Sequence, residues 1–247
     1  NIIGKTNNSV KEEIENEFIE LEFPSIDTYA KIYMNGEFIL TTDNAFIPHA
    51  AQIKKWAKKG MNELKVIFTP PVRYFKIPFE EAKYELPAPN DKNEISIAPH
   101  ARKPQYQFGW DWALRMNTIG LNKPAIIHSY NQGRILNNTT RIISIDKGVA
   151  MIEFEIILSN CKIDEIIWDS ELHGKATVKG SQGRFIRKIE VENPVLWWPR
   201  GQGEQFIYED RIKIHELSSN QLIDSVKLRY GIKQSELIQE KDEWGTS

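Results

Sequence analysis

The residues best suited to chemistry form one ten-residue stretch, Tyr106-Gln107-Phe108-Gly109-Trp110-Asp111-Trp112-Ala113-Leu114-Arg115. Two tryptophans, Trp110 and Trp112, flank Asp111, and Arg115 follows closely. Sugars present apolar C–H faces that flat aromatic rings can contact, and hydroxyl groups that carboxylates and guanidinium groups can bind by paired hydrogen bonds. Gly109 allows the backbone to turn sharply. These residue types are those of a sugar-facing loop, Gly109–Arg115.

The same residues also fit a structural interpretation. Aromatic residues most often pack in protein cores, and Asp111 with Arg115 could form an internal ion pair. Residue types alone leave both interpretations open.

A second aromatic cluster follows later in the chain, at Asn193-Pro194-Val195-Leu196-Trp197-Trp198-Pro199-Arg200-Gly201. Its prolines and glycine indicate a turn. The adjacent Trp197 and Trp198 could form a ligand platform or a packed junction. The junction is favoured, because Gly201-Gln202-Gly203 leads directly into a predicted strand.

Other site signatures are missing from the sequence. The five histidines occur singly, at His49, His100, His128, His173 and His215. No two have the i, i+4 spacing of a helical zinc site, and no cysteine cluster accompanies them. The only cysteine, Cys161, has no convincing catalytic base, and Gly-x-Ser-x-Gly does not occur. We therefore predict no metal, no cofactor and no nucleophilic triad.

Composition excludes several classes of protein. Of 247 residues, 40% are hydrophobic and 27% charged, with a formal net charge of −2. Nucleic-acid binding normally needs a basic excess, so no nucleic-acid partner is predicted. No apolar run reaches the roughly 18 residues of a membrane span, and Asn1–Gly4 does not start like a signal peptide. A single cysteine permits no intramolecular disulfide, which leaves the compartment open.

The dominant hydrophobic period is two, which is typical of β-strands. Ile19, Leu21 and Phe23 alternate with glutamates. Two strands, at Tyr29–Met34 and Glu37–Leu40, enclose an Asn-Gly pair that favours a type I′ hairpin turn. Asn62–Thr69 alternates again. The first half of the chain is therefore predicted to be mainly β.

One short helix is predicted around Ile53, Trp56 and Ala57, which share an i, i+3, i+4 stripe, with Gly60 after its last turn. The following stretch, from Pro70 to Pro104, is rich in proline and is predicted to be a loop.

A second β-sandwich is predicted after about Asn131. Alternation at Ile152–Leu158 is followed by several short strand candidates without helical stripes between them. These candidates are Glu165–Trp168, Lys175–Lys179, Phe185–Val191, Gln205–Ile214 and Leu222–Arg229. The alternating strands and helices of a TIM barrel are missing.

Four segments together resemble the glycoside hydrolase family 2 β-mannosidases, and they lie in the family's order over nearly the whole chain. They are Ile26–Ala30 with Tyr33–Gly36, Arg102–Tyr106 with Phe108–Trp112, Asn193–Gly201, and Arg229–Ile232 with Asp242–Ser247. The combination of Gly-Trp-Asp-Trp with Leu-Trp-Trp-Pro is the most specific part of the match.

The resemblance implies an all-β chain: a galactose-binding-like jelly-roll β-sandwich over residues 1–130, then an immunoglobulin-like β-sandwich over 131–237. Residues 238–247 would begin a connection to a catalytic TIM barrel. Both catalytic glutamates would lie in that barrel, so no catalytic residue is expected in this chain. Trp110 and Asp111 would contact the substrate, Trp112 would pack behind them, and Arg115 would fix the loop through Asp111.

The implied parent protein is a retaining exo-β-mannosidase that removes terminal β-D-mannose from oligosaccharides, and its partners are the β-mannoside and its own C-terminal barrel. Alternatives are a stand-alone carbohydrate-binding or structural module, or the front of a related β-galactosidase or β-glucuronidase. Relatives carry further residues before the segment matching Phe18–Phe23. The jelly roll is therefore expected to be incomplete there, with an exposed edge that could pair in a homo-oligomer. The compartment would be periplasmic or extracellular in a bacterium and lysosomal in an animal.

Overall fold

The computed structural model describes residues 2–10, 12–82, 86–91 and 95–246. The chain divides into two compact units, Asn1–Asn131 and Gln132–Ser247. In both, β-strands are the main regular secondary structure. In the described part of the chain, no helix is long and apolar enough to cross a membrane.

Within its described residues, the first unit has nine strands, one α-helix and short 3-10 turns. Its elements are β1 (Ile2–Val10), β2 (Phe18–Phe23), β3 (Ile26–Asp27), β4 (Ala30–Met34), β5 (Glu37–Thr42), β6 (His49–Gln52), β7 (Gly60–Phe68), α1 (Pro71–Glu81), β8 (Gly120–Leu121) and β9 (Ile126–Tyr130), with 3-10 turns at Glu12–Glu15, Ala98–His100 and Gln105–Phe108. A four-stranded sheet has the order β1-β7-β4-β5, and a three-stranded sheet has the order β6-β2-β9. Strands β3 and β8 form a separate pair.

The alternation predicted from the sequence is confirmed in this jelly-roll core. Ile19, Leu21 and Phe23 of β2 are buried, as are Leu64, Val66 and Phe68 of β7. They pack in one cluster with the inward residues of β4, so apolar side chains of both sheets share one interior. A hydrophobic period of two places the apolar side chains on one face of each strand, and that face is buried here.

The Asn35-Gly36 hairpin is also confirmed. Met34 pairs with Glu37, and the two turn residues have φ angles of 51° and 91°, both positive as a type I′ turn requires. The Asn35 side chain donates to the Trp56 carbonyl at 2.8 Å and to Asn62 Oδ1 at 2.9 Å. The turn is thereby connected to the start of β7.

The strand β1 was not identified from the sequence. It pairs antiparallel with β7 over its whole length, from Ile2 opposite Phe68 to Val10 opposite Gly60. Its sequence carries Asn and Ser in place of a clear apolar alternation, so periodicity did not reveal it. A strand therefore precedes the segment at Phe18–Phe23 in this chain.

The short helix predicted around Ile53 is wrong. Only a single turn forms, in which the Ile53 carbonyl accepts the N–H groups of Trp56 and Ala57, both at 2.9 Å. The buried Asn62 side chain then accepts the Lys58 N–H at 2.8 Å and donates to the Lys58 carbonyl at 2.7 Å. Side-chain capture of the backbone ends the turn before a helix can grow.

The loop predicted over Pro70–Pro104 is wrong in its first part, because α1 begins at Pro71. Proline is well suited to the first position of a helix, since its φ angle is already helical and no N–H is needed there. The helix packs through Val72 and Phe75 against a small cluster around Phe108. Tyr74 stacks on the buried Tyr29 with ring centroids 4.0 Å apart.

The second unit, as far as residue 246, has seven longer strands and a short pair near its C-terminal end. They are β10 (Arg134–Asp146), β11 (Val149–Ser159), β12 (Glu165–Ser170), β13 (Gly174–Ser181), β14 (Arg184–Glu192), β15 (Tyr208–Glu216), β16 (Leu222–Tyr230), β17 (Lys241–Asp242) and β18 (Gly245–Thr246). Strand β13 pairs with β12 through its first residues and with β14 through Gly180 and Ser181. It thus links β10-β11-β14 to β12-β15-β16, giving an immunoglobulin-like β-sandwich.

All five strand candidates of the second unit are confirmed, with β15 beginning at Tyr208, later than predicted. Their inward residues form one core around Phe154, Trp168 and Phe185. Strand β10 was missed because it has irregularities near Leu136 and Ile143, each of which moves the alternation by one residue.

Candidate functional site

The loop Gly109–Arg115 follows the 3-10 turn Gln105–Phe108 and folds back as a tight turn. Trp110 and Ala113 exchange backbone hydrogen bonds, with N–O distances of 3.4 and 3.2 Å. Beneath them the Met116 N–H donates to the Gln107 carbonyl at 3.0 Å, so the two ends of the loop meet. Phe108 is buried under the loop and anchors it to the jelly-roll unit.

The tip of the loop is open to solvent. Trp110 is 48% exposed and Trp112 is 81% exposed, with their ring centroids 5.5 Å apart at an interplanar angle of 63°. Asp111 between them is exposed, and its carboxylate has no hydrogen-bond or ion-pair partner among the described residues. The tip therefore presents two indoles and one unpaired carboxylate.

The expectation that Trp112 packs behind Trp110 is wrong in this structure. The turn closes between Trp110 and Ala113, so Asp111 and Trp112 are its two central residues. Central residues of a tight turn point away from the body of the protein. Trp112 is for this reason the more exposed of the two indoles.

The expected pairing of Arg115 with Asp111 is also wrong. Arg115 Nε donates to Oδ1 of Asp91 at 2.8 Å, and the guanidinium lies over the Phe108 ring at 5.9 Å. Asp91 is 2% exposed. Asp111 lies at the tip of the turn, whereas Arg115 lies at its base. Asp91 lies beside that base and is therefore the residue that Arg115 reaches.

A small groove lies beside Trp110. Its volume is about 140 Å³, and its walls include Pro87, Pro89, Asn90, Pro99 and Gly109. Gly109 has φ 107° and ψ 163°, a conformation essentially restricted to glycine. A β-carbon there would lie 3.0 Å from the Asn90 carbonyl oxygen, so the close approach of the two segments requires glycine.

A buried ion pair lies beneath the loop. Lys103 Nζ is 3.1 Å from Asp27 Oδ1, and the two residues are 0% and 1% exposed. Burial raises the pKa of Asp27, but hydrogen bonds from Thr28, Thr118 and Gln107 and the charge of Lys103 outweigh it and hold that pKa below its usual range. Burial lowers the pKa of Lys103, partly offset by Asp27. Asp27 and Lys103 lie in two segments that carry the family resemblance, Ile26–Ala30 and Arg102–Tyr106, but their pairing was not predicted because 76 positions separate them.

The second aromatic cluster forms an open cleft in the immunoglobulin-like unit. Trp197 packs on Gly231, where a β-carbon would lie 2.8 Å from the Trp197 side chain, and Lys233 Nζ lies 4.8 Å from its ring centroid. Trp198 is exposed at the wall of a cavity of about 350 Å³, which Pro199 and Gln202 also line. The cluster therefore combines a packed tryptophan with an exposed one.

The immunoglobulin-like unit also contains a polar cluster, whose hydrogen bonds hold a turn in place. Ser170 Oγ donates to the buried Asp210 at 2.6 Å and accepts the His173 N–H at 2.9 Å. The His173 ring is directed to another partner, because its Nε2 lies 2.9 Å from the Tyr230 hydroxyl. Hydrogen bonding fixes the turn between β12 and β13. Among the described residues, no group of three His, Cys, Asp or Glu side chains is arranged to hold a metal ion.

Known domain models match each compact unit. Residues 3–123 match "Glycosyl hydrolase 2 galactose-binding domain-like", and residues 150–233 match "Glycosyl hydrolases family 2". Between them they account for most of the chain. The chain belongs to glycoside hydrolase family 2. Within this family the jelly roll is the galactose-binding-like domain, and the second sandwich is the immunoglobulin-like one.

The family 2 chain resembles proteins named beta-mannosidase B. The protein from Thermothelomyces thermophilus is 26% identical over 228 residues, which covers 89% of this chain and 26% of the relative. The protein from Aspergillus oryzae is 28% identical over 242 residues, covering 93% of this chain and 28% of the relative. The chain thus spans about a quarter of the length of these relatives.

Two solved structures share the fold of this chain. A β-D-mannosidase from Dictyoglomus thermophilum superposes with a TM-score of 0.87 at 30% identity, covering 99% of this chain and 31% of that one. A β-glucuronidase from Bifidobacterium dentium gives a TM-score of 0.68 at 17% identity, covering 96% of this chain and 40% of that one. The second likeness shows the fold alone.

Proposed function

We propose that this family 2 chain is the non-catalytic front portion of a retaining exo-β-mannosidase, which removes terminal β-D-mannose from the non-reducing end of oligosaccharides. Its loop Gly109–Arg115 would form one wall of the mannose pocket, with Trp110 and Asp111 as the sugar contacts. The observation that carries the proposal is the loop tip, where an unpaired carboxylate stands between two exposed indoles.

Substrate preference for mannosides is supported by the relatives. The two relatives compared above are named beta-mannosidase B, and the β-D-mannosidase structure is nearer in both identity and TM-score than the β-glucuronidase structure. A β-galactosidase or β-glucuronidase parent is the weaker alternative for this reason.

The catalytic step is assigned to a barrel outside these 247 residues. Retaining glycosidases need two carboxyl groups about 5 Å apart, and in this proposal both glutamates belong to that barrel. Around the loop several large apolar side chains are exposed: Tyr106, Trp112, Leu114 and Met116. Clustered exposed apolar residues mark interaction surfaces. The proposed partner at this surface is the protein's own catalytic barrel.

The decisive experiment is Asp111→Ala in the intact enzyme, assayed on an aryl β-D-mannoside. Loss of a charge-assisted hydrogen bond to a sugar hydroxyl should lower kcat/KM roughly 10- to 100-fold. Glu37→Ala, which removes another exposed carboxylate of the same unit, is the matched control and should leave kcat/KM unchanged. If Asp111→Ala changes neither KM nor kcat, the jelly roll is a scaffold that does not touch the substrate.

The isolated chain gives a second test. It should not hydrolyse the aryl β-mannoside, and turnover by the purified chain would contradict the assignment of the catalytic glutamates to the barrel. Saturable binding of mannose or a manno-oligosaccharide that is lost in Asp111→Ala would instead support a stand-alone carbohydrate-binding module.

A further inference from the structure

We propose that Asp27 and Lys103 are positioning residues that close the neck of the Gly109–Arg115 loop and thereby set where Trp110 and Asp111 lie. The inference rests on the proposed role of that loop as a pocket wall. It concerns residues that lie beneath the loop and do not reach its tip.

The neck of the loop is formed by Gln107 on the incoming side and Thr118 on the outgoing side. Asp27 Oδ2 accepts the Thr118 hydroxyl at 2.8 Å and the Gln107 side-chain amide at 3.2 Å. A single carboxylate oxygen therefore holds both sides of the neck together. Charge-assisted hydrogen bonds of this kind are stronger and more directional than neutral ones.

Lys103 completes the arrangement from the other oxygen of the same carboxylate. Its Nζ lies 3.1 Å from Asp27 Oδ1 and donates to the Thr118 carbonyl at 2.7 Å. A buried ammonium group is costly unless it is paired and hydrogen-bonded, and here Asp27 and the Thr118 carbonyl provide these partners. Lys103 therefore holds the backbone of Thr118 at a fixed distance from Asp27.

Gln107 joins the two sides of the neck directly. Its Oε1 accepts the Thr118 N–H at 3.1 Å, and its backbone carbonyl accepts the Met116 N–H. Asp27 itself lies in β3, opposite Gly120 of β8. The carboxylate is thus fixed to a strand pair, and one strand of that pair, β8, follows shortly after the loop.

This geometry distinguishes positioning of the loop from general stabilisation of the sandwich. The bonds converge on the two sides of one loop, and a buried polar network whose members are all satisfied favours one arrangement. If the network only stabilised the sandwich, weakening it would lower the melting temperature without a selective effect on the loop tip.

The test uses hydrogen–deuterium exchange on the 247-residue chain with Thr118→Val, which removes the hydroxyl donor to Asp27. We expect the amides of Trp110, Ala113 and Met116 to exchange about tenfold faster, as for loss of one hydrogen bond to a charged group. Exchange in β2 and β7 should be unchanged. Thr118→Ser, which keeps the hydroxyl, should behave like the unmodified chain.

Two further variants make the result decisive. Lys103→Met should accelerate the same amides at least as much, whereas Ser170→Ala, which removes a hydrogen bond to buried Asp210 in the other unit, should not affect them. Loop exchange that stays unchanged in Thr118→Val, or that rises equally in all strands of the unit, overturns the proposal. No sugar is present in this measurement, so failure of the proposed mannose contact would not alter it.

Discussion

Arg115 Nε donates to Asp91 Oδ1 at 2.8 Å, which joins the last residue of the loop to a carboxylate 24 positions earlier in the chain. The second oxygen of Asp91 accepts the backbone N–H groups of Ile97 and Ala98, at 2.8 and 3.0 Å. One buried carboxylate thus connects the loop to the segment that packs beside it.

Asp91→Ala should destabilise the jelly-roll unit by about 3 kcal/mol, because it leaves two backbone donors and one guanidinium without their acceptor. Chemical denaturation followed by circular dichroism would measure this free energy of unfolding. Glu37→Ala, on an exposed carboxylate, should change the free energy by less than about 0.5 kcal/mol. A similar small change for Asp91→Ala would mean that the buried carboxylate is not structurally important.

Gly109→Ala should lower the free energy of unfolding more than Gly36→Ala in the Asn35-Gly36 hairpin. At Gly36 the added methyl meets nothing within 4 Å, so only the positive φ angle is penalised, by about 1 kcal/mol. At Gly109 the methyl also meets the Asn90 carbonyl, and about 2–4 kcal/mol is expected. Equal melting temperatures for the two variants would contradict the close approach beside Trp110.

The jelly-roll unit should lose stability in acid through Asp27. Its pKa is lowered in the folded state, so the unfolded chain takes up a proton first as the pH falls. The stabilising contribution is complete above the ordinary aspartate pKa of about 3.9 and is lost below it. Unfolding free energies measured from pH 6 to pH 2 should fall less steeply in Asp27→Asn. An identical slope in both proteins would be inconsistent with this linkage.

The immunoglobulin-like unit should lose stability through His173 as the pH falls below about 6.5, which is a higher pH than the one at which Asp27 acts. Burial lowers the pKa of His173, and the charge of Arg187 adds to that effect, although Asp210 opposes it. The ordinary histidine pKa is about 6.5. Below that pH the unfolded chain binds a proton at His173 more readily than the folded unit does, which favours unfolding. An NMR titration of the ring protons, assigned with His173→Gln, should give a pKa below 6.5. A value above 6.5 would reverse the sign of the expected effect.

Local patterns predicted a large part of the strand content. Alternation identified β2, β7 and β11, because every second residue along much of each strand is apolar and buried in a core. The Asn35-Gly36 turn was predictable because its chemistry is contained in two adjacent residues. Helix α1 was not, since its prolines and short apolar stripe resemble a loop when the cluster around Phe108 is unknown.

The candidate site was predictable only at its tip. The indoles and the carboxylate of the loop are contiguous in sequence, so their combination could be recognised there. The partners that hold the loop could not, because Asp27, Asp91 and Lys103 reach it only through the folded chain. Arg115 illustrates the difference: its nearest acidic residue in sequence is Asp111, yet its partner is Asp91.

The loop leaves and rejoins the jelly roll at nearly one point, because the Met116 N–H donates to the Gln107 carbonyl. Loops with adjoining ends tolerate insertion and replacement, since a change in their length does not shift the strands that support them. The tip from Trp110 to Leu114 is therefore an exchangeable cassette, as long as Phe108, Gly109 and Arg115 are kept. Tips from other family 2 proteins could be grafted between Gly109 and Arg115 while the sandwich is kept unchanged.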